Sequence, residues 1–143
     1  MIRRILVGVD GSANSLGALN WTIALAQQAN SEVIAVHAMG LKTIEQDGRF
    51  LSPEEARHIT ADLLDSIWCA PLKNSGVKHQ NLLVEGSPVT ALLEIAGELE
   101  VDLIVVGTRG HTLGEASLGS TAHRIIEDSK IPVVVLPPRP VDG

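Results

Sequence analysis

Aromatic residues are nearly missing from this sequence, which has no tyrosine, one phenylalanine and two tryptophans among 143 residues. Apolar residues nevertheless make up 45% of the chain, so its interior must be built from valine, isoleucine, leucine and alanine. That mixture favours β-strands covered by helices. Because a chain of this length buries about 68–70% of its unfolded surface as one unit, we expect a single domain over residues 1–143.

Cysteine is equally scarce. Cys69 is the one cysteine and has no partner for an internal disulfide, which agrees with a reducing compartment. We interpret it as an inert, buried thiol, since free cysteines are usually buried. The five histidines and this cysteine show no metal-ligand spacing, so no structural zinc is expected.

Positive charge and long apolar runs are also in short supply. Eleven lysines and arginines against 17 acidic residues give a net charge of −6, which provides no basic field for nucleic acid. The first apolar run, residues 5–9, is too short for a signal-peptide core or a membrane span. We therefore expect a cytoplasmic protein without a nucleic-acid or membrane partner.

What the sequence does contain is an alternation of apolar runs with helical patterns. Strands are predicted at residues 5–9, 33–38, 77–85, 101–106 and 132–137, and helices at 13–29, 53–72, 88–98 and 121–128. Ser52-Pro53-Glu54-Glu55 has the form of a capping box at the start of the second helix. The alternation predicts an α/β fold, a parallel sheet of five strands with four helices on both faces. Residues 40–51 are expected to form a surface connection.

Two unusual segments follow strands 1 and 4. In open α/β sheets, ligands bind beyond the carboxyl ends of the strands, where the strand order reverses. In the order 3-2-1-4-5 that point lies between strand 1, which ends in Asp10-Gly11-Ser12, and strand 4, which leads into the glycine-rich loop 107–120. Backbone N–H groups before a helix suit an anion, so we interpret this loop as a phosphate cradle; a flexible connection is the alternative.

Familiar catalytic and nucleotide motifs do not fit. Residues 114–121 have the glycine spacing of a P-loop, but Ser120 stands where that motif requires lysine. Strand 1 is not followed by Gly-x-Gly-x-x-Gly, which argues against a dinucleotide dehydrogenase. There is also no Gly-x-Ser-x-Gly elbow for a nucleophilic serine. We therefore expect no catalytic residues.

Several short motifs together resemble one known family. They are Ile5-Leu6-Val7-Gly8-Val9-Asp10-Gly11-Ser12, His37-Ala38, Gly86-Ser87-Pro88, Gly107-Thr108-Arg109-Gly110 and Gly119-Ser120. In this order, and over essentially the full length, the chain resembles the universal stress proteins. The resemblance implies a Rossmann-like five-stranded sheet, a dimer and, in one branch, an ATP site.

The ATP-binding branch carries the pattern Gly-x2-Gly-x9-Gly-Ser/Thr, and this chain is one residue short of it. Eight residues, 111–118, separate Gly110 from Gly119. The extra glycine at position 114 would help a shorter loop to close. The shortened loop is the feature that favours a family member without nucleotide.

By the same resemblance, Val9 and Asp10 would lie near adenine and ribose, and the backbone at Ala38 would read the adenine edge. Asp10 would also help to hold Mg²⁺; the structural alternative is that it caps its own turn. The residues that the resemblance implies at the phosphates are Gly107, Gly110, Gly119 and Ser120. Thr121 adds a hydroxyl at the same helix start. Arg109 is either a charged phosphate donor or a solvated side chain. We interpret His37 as a structural hydrogen-bonding residue and His111 as an idle loop residue.

The expected function is that of a stress-response protein binding ATP with Mg²⁺, in a regulatory role without catalysis or with very slow hydrolysis. Nucleotide occupancy would then alter a partner surface. The alternative is a dimeric interaction module without nucleotide, and a nucleotide-using enzyme is disfavoured because no base or catalytic lysine is evident. The short apolar strand Val133–Leu136 is a plausible sheet edge, and we expect a homodimer formed partly through it.

Overall fold

The computed structural model of the protein describes residues 1–40, 45–108 and 119–138. The strands are β1 (Arg4–Gly8), β2 (Glu32–Ala38), β3 (Glu45–Gln46), β4 (Arg49–Phe50), β5 (His79–Val84), β6 (Leu103–Gly107) and β7 (Val133–Leu136). The helices are α1 (Ala13–Ala29), α2 (Pro53–Leu63), α3 (Ala70–Lys73), α4 (Pro88–Glu98) and α5 (Ser120–Asp128), with a π-helical turn (Leu64–Trp68) between α2 and α3.

Five of the strands form one parallel sheet in the order β5-β2-β1-β6-β7. This is the predicted order 3-2-1-4-5, and the Rossmann-like α/β fold is confirmed. In the register of the central strands, Val7 lies opposite Ala35 on β2 and Val105 on β6. The carboxyl ends of β1, β2 and β6 therefore lie side by side at one edge, where the order reverses between β1 and β6.

Each face of the sheet carries its own apolar core. Residues of α1, the π-helical turn and α3 cover one face, and residues of α4 and α5 cover the other. Successive residues of β1 alternate between the two cores, with Ile5 and Val7 on the first face and Leu6 on the second. No helix in the three described ranges has the length and apolarity to cross a membrane.

The predicted second helix is divided in two, so that the described chain has five α-helices where four were expected. Pro71 is the physical reason: proline lacks an N–H group, and its ring clashes with the carbonyl four residues earlier, that of Ile67. The chain passes this point by a wide turn in which the Cys69 N–H donates to the Leu64 carbonyl at 2.9 Å. The π-helical turn ends at Trp68, directly before Cys69.

The surface connection that was expected over residues 40–51 contains a small hairpin. β3 and β4 pair antiparallel, with Gln46 opposite Arg49. The two residues between them, Asp47 and Gly48, both have positive φ angles, of 54° and 79°. Asp-Gly in this position is a common two-residue hairpin turn, so the sequence carried a local signal for it.

Candidate functional site

The turn after β1 is held by a dense set of hydrogen bonds. The Asp10 carboxylate accepts from the Ser12 N–H at 2.9 Å, and the Asp10 N–H donates to the Ser15 hydroxyl at 3.0 Å. Ser12 caps α1, because its hydroxyl accepts from the Ser15 N–H at 3.1 Å. Asp10 thus caps its own turn, which is the structural role considered for it. These hydrogen bonds fix the backbone conformation of the turn.

The carboxyl end of β6 lies against this turn, as the strand order predicts. The Asn14 amide in the first turn of α1 donates to the Thr108 hydroxyl at 3.3 Å. At Gly107, an added Cβ would lie 2.9 Å from the Asn14 amide nitrogen, so glycine is what lets the two segments approach. The predicted convergence of the β1 and β6 ends is confirmed for these residues.

The beginning of α5 joins the same edge. The Gly119 N–H donates to the Thr108 carbonyl at 2.6 Å, which fixes the start of the helix beside β6. Gly119 is the N-cap residue, with extended backbone at φ −67° and ψ 158°, and Ser120 and Thr121 open the helix. The first N–H groups of a helix lack partners within the helix and carry the positive end of its dipole, so this terminus is suited to an anion.

The end of β2 is tied to the end of β1 through a histidine. His37 Nδ1 lies 2.6 Å from the Val9 carbonyl oxygen; since a carbonyl can only accept, Nδ1 carries the proton and donates. The Val9 N–H in turn donates to the Val36 carbonyl at 2.9 Å. The structural role predicted for His37 is confirmed, and Ala38 follows it as the last residue of β2.

A residue that the sequence did not single out, Trp68, lies beside both strand ends. Its ring meets the His37 ring edge to face, with centroids 5.0 Å apart and an angle of 70° between the planes. A Cβ on Gly11, where φ is +83°, would come within 2.5 Å of the Trp68 indole. The indole therefore packs directly on the turn after β1. No spacing pattern marked it, although it is one of only two tryptophans.

Most of the predicted site residues lie at this edge, at the ends of β1, β2 and β6 and at the start of α5. They are Val9, Asp10, Ala38, Gly107, Gly119, Ser120 and Thr121. Arg109, Gly110 and His111 lie outside the described residues. Within the described ranges, no three His, Cys, Asp or Glu side chains are grouped to hold a metal ion.

Cys69, next to Trp68, is a buried thiol of low reactivity. It is completely buried in the core under α1. Burial raises the pKa of Cys69 to about 12, and the nearby negative charge of Asp65 adds to the effect. The prediction of a buried thiol is confirmed, and its raised pKa disfavours the reactive thiolate form.

A groove of about 490 Å³ opens at the opposite end of the sheet, where the strands begin. Arg3, Arg4 and Lys78 line it together with Glu32. The Arg4 guanidinium is occupied there: it lies 3.3 Å from the Glu32 carboxylate and donates to the Leu99 carbonyl at 2.7 Å. This groove is remote from the edge where the β1 and β6 ends converge.

The model of the universal stress protein family matches residues 1–137. A universal stress protein of Methanocaldococcus jannaschii is 31% identical over 144 residues, covering 95% of this chain and 82% of that protein. The universal stress protein YxiE of Bacillus subtilis is 29% identical, covering 95% of this chain and 99% of its own. A universal stress protein solved in complex with cAMP is 29% identical to this chain, with a TM-score of 0.72. The match covers 96% of this chain and 98% of that protein. The chain belongs to the universal stress protein family.

Proposed function

We propose that the protein binds an adenine nucleotide, ATP with Mg²⁺, between the turn after β1 and the start of α5. The observation that carries this proposal is the contact between Asn14 and Thr108, at 3.3 Å. It brings the turn after β1 against the end of β6, and the bond from the Gly119 N–H to the Thr108 carbonyl at 2.6 Å adds the start of α5 at the same edge. This edge is the switch point where ligands of such folds bind. A relative 29% identical to this chain was solved with cAMP, an adenine nucleotide.

In this proposal the phosphates lie at the N-terminus of α5. The N–H groups of Ser120 and Thr121 and the Ser120 hydroxyl would donate to phosphate oxygens, assisted by the helix dipole. Gly107 has no Cβ and so lets the end of β6 lie close to Asn14 at the start of α1. Contacts from Arg109 and Gly110 remain predictions from the sequence.

The ribose and base would lie toward β1 and β2. Val9 is buried, and its carbonyl is bonded to His37, so the strand end presents a firm apolar wall. The backbone at Ala38 would bond the adenine edge. This placement follows the row of strand ends from β6 through β1 to β2.

Asp10 would hold Mg²⁺ together with phosphate oxygens. Magnesium in nucleotide sites is commonly bound by one or two carboxylates plus the phosphates. A carboxylate has about four acceptor positions, so the bond from the Ser12 N–H is compatible with a metal contact. We therefore expect affinity for ATP to depend on Mg²⁺.

The role we propose is regulatory rather than catalytic. Asp10 and His37, at the ends of β1 and β2, both make local structural bonds. The sequence carries no nucleotide motif with a catalytic lysine. Nucleotide occupancy would alter a surface that a partner recognises.

A charge placed at the start of α5 tests the proposal without harming the helix. Gly119→Asp introduces a favoured N-cap residue that complements the dipole, on a backbone that any residue can adopt. The carboxylate would repel the phosphates, and we expect calorimetric affinity for Mg-ATP to fall at least about tenfold, or about 1.4 kcal/mol. The uncharged, near-isosteric Gly119→Asn is the matched control: it adds a side chain of the same size without the charge and should lose clearly less affinity than Gly119→Asp.

Calorimetry of the wild-type protein decides the proposal first. Saturable binding of Mg-ATP that is weakened more by Gly119→Asp than by Gly119→Asn supports the assigned place. No binding to the wild type, or equal loss in both variants, contradicts it.

The second candidate is a dimeric interaction module without nucleotide, which the loop shortened by one residue favours.

β7 lies at one edge of the described sheet, and its four residues Val133–Leu136 are all partly exposed. An apolar edge strand invites pairing, so we also propose a homodimer through β7 under either function. Sedimentation should give about twice the 15.2 kDa of one chain; a monomer at micromolar concentration would refute the dimer. Mass spectrometry of nucleotide released from the purified protein separates the two functions.

A further inference from the structure

Trp68 is placed at the candidate site by two unusual local features. The first is the π-helical turn (Leu64–Trp68), which ends at Trp68; its sequence neighbours are the exposed Ile67 and the buried Cys69. The second is Gly11, where any side chain would collide with the indole at 2.5 Å. π-helical turns within helices are frequent at functional sites. Together these features hold an aromatic ring against the turn after β1.

The position of the indole matches the place of a nucleobase in the proposed site. Gly11 directly follows Asp10, and His37, whose ring Trp68 meets at 5.0 Å, directly precedes Ala38. The indole is therefore next to both strand ends between which the base was placed. It is only partly buried, so part of its surface is not covered by the protein.

Aromatic side chains are scarce in this chain, yet one of them lies here. Stacking between a nucleobase and an aromatic side chain typically changes binding about 10-fold or more per base. The ring also has an N–H group, which allows a hydrogen bond to a base in addition to stacking. A ring at this position can thus contribute affinity that depends on the base and not on the phosphates.

We propose that Trp68 is a wall of the nucleobase subsite and contacts the adenine ring of the bound nucleotide. This inference rests on the nucleotide function proposed above. It makes a separate claim, because nucleotide could bind in the same crevice without touching Trp68.

The second tryptophan permits a clean spectroscopic test. Trp21 lies on α1 and is partly exposed to solvent, so Trp21→Phe leaves Trp68 as the only indole without altering the site. Trp68→Phe leaves Trp21 and serves as the matched control. Each protein is titrated with Mg-ATP and with Mg-tripolyphosphate, which carries the phosphates and no base, while binding is followed in parallel by calorimetry.

If Trp68 contacts the base, Mg-ATP changes the fluorescence of Trp21→Phe, and Mg-tripolyphosphate leaves that fluorescence unchanged. The fluorescence of Trp68→Phe, which comes from Trp21, changes with neither ligand. Trp68→Ala should lower affinity for Mg-ATP about tenfold without affecting tripolyphosphate binding, while Trp68→Phe keeps most of the affinity. Circular dichroism checks that Trp68→Ala is folded, and the fluorescence experiment stands without it.

The possible failures are distinguishable. In the first case, Mg-ATP binds Trp21→Phe by calorimetry but its fluorescence does not change, and Trp68→Phe and Trp68→Ala bind with undiminished affinity. This result overturns the role of Trp68 and leaves the nucleotide function intact. Equal loss of ATP and tripolyphosphate binding in Trp68→Ala also overturns it, because that result indicates a structural role. No binding of Mg-ATP to the wild type overturns both proposals.

Discussion

At the scale of single residues, Cys69 shows how burial decides reactivity. The thiol is fully buried, and its pKa is raised to about 12, so practically none of it is thiolate at pH 8. We predict that native protein is not labelled by iodoacetamide at pH 8 over an hour, whereas protein in denaturant is labelled stoichiometrically. Mass spectrometry measures the label. Rapid labelling of the native protein would show that the core around Cys69 opens readily.

The residues of the candidate site differ in how far the sequence reveals them. Asp10 and His37 were singled out because each lies at the end of an apolar run. In a parallel sheet, the ends of such runs lie together at the carboxyl edge of the strands. Asn14 and Thr108 were not, since their contact joins residues 94 positions apart and depends on side-chain geometry. Trp68 was missed for the same reason: its neighbours Gly11 and His37 come from other elements.

At the scale of elements, the capping box of α2 has a pH-dependent contribution to stability. The pKa of Glu55 is lowered to about 2 by the Arg49 guanidinium, which bonds its carboxylate at 2.8 Å, and by the Ser52 N–H. Because the folded pKa lies below the unfolded one, Glu55 contributes stability above about pH 4.5, and that contribution is lost as the pH falls toward 2.

Glu55→Gln tests this contribution. The variant should be less stable than the wild type at pH 6, and the difference should shrink by pH 3. The effect will be modest because the pair is exposed. Denaturant unfolding of both proteins at each pH measures it, and a difference that stays constant between pH 6 and pH 3 would contradict the assigned ion pair and cap.

Local signals predicted some elements far better than others. Ser12 before α1 and Ser87-Pro88 before α4 mark helix starts, and both helices have the predicted bounds of 13–29 and 88–98. The break before α3 was missed, although Pro71 inside an otherwise helical pattern signals one. The hairpin was missed because its strands have two residues each, too few for an alternating pattern, despite the turn signal of Asp47-Gly48.

At the scale of the whole molecule, strand order connects the sequence to the site. Alternating strands and helices predict a parallel sheet, but local patterns do not specify which strands are neighbours. The order 3-2-1-4-5 was therefore assumed from the general doubly wound fold. Once the order is known, the switch point between β1 and β6 follows. There Thr108 bonds both Asn14, in the first turn of α1, and Gly119, at the start of α5.

The most direct test is the structure of the protein crystallised with Mg-ATP. The proposed function predicts phosphates at the N–H groups of Ser120 and Thr121, Mg²⁺ beside Asp10, and the base next to Val9 and Ala38. Nucleotide bound elsewhere, such as in the groove at the opposite end of the sheet, or crystals without bound nucleotide at saturating Mg-ATP, would contradict it.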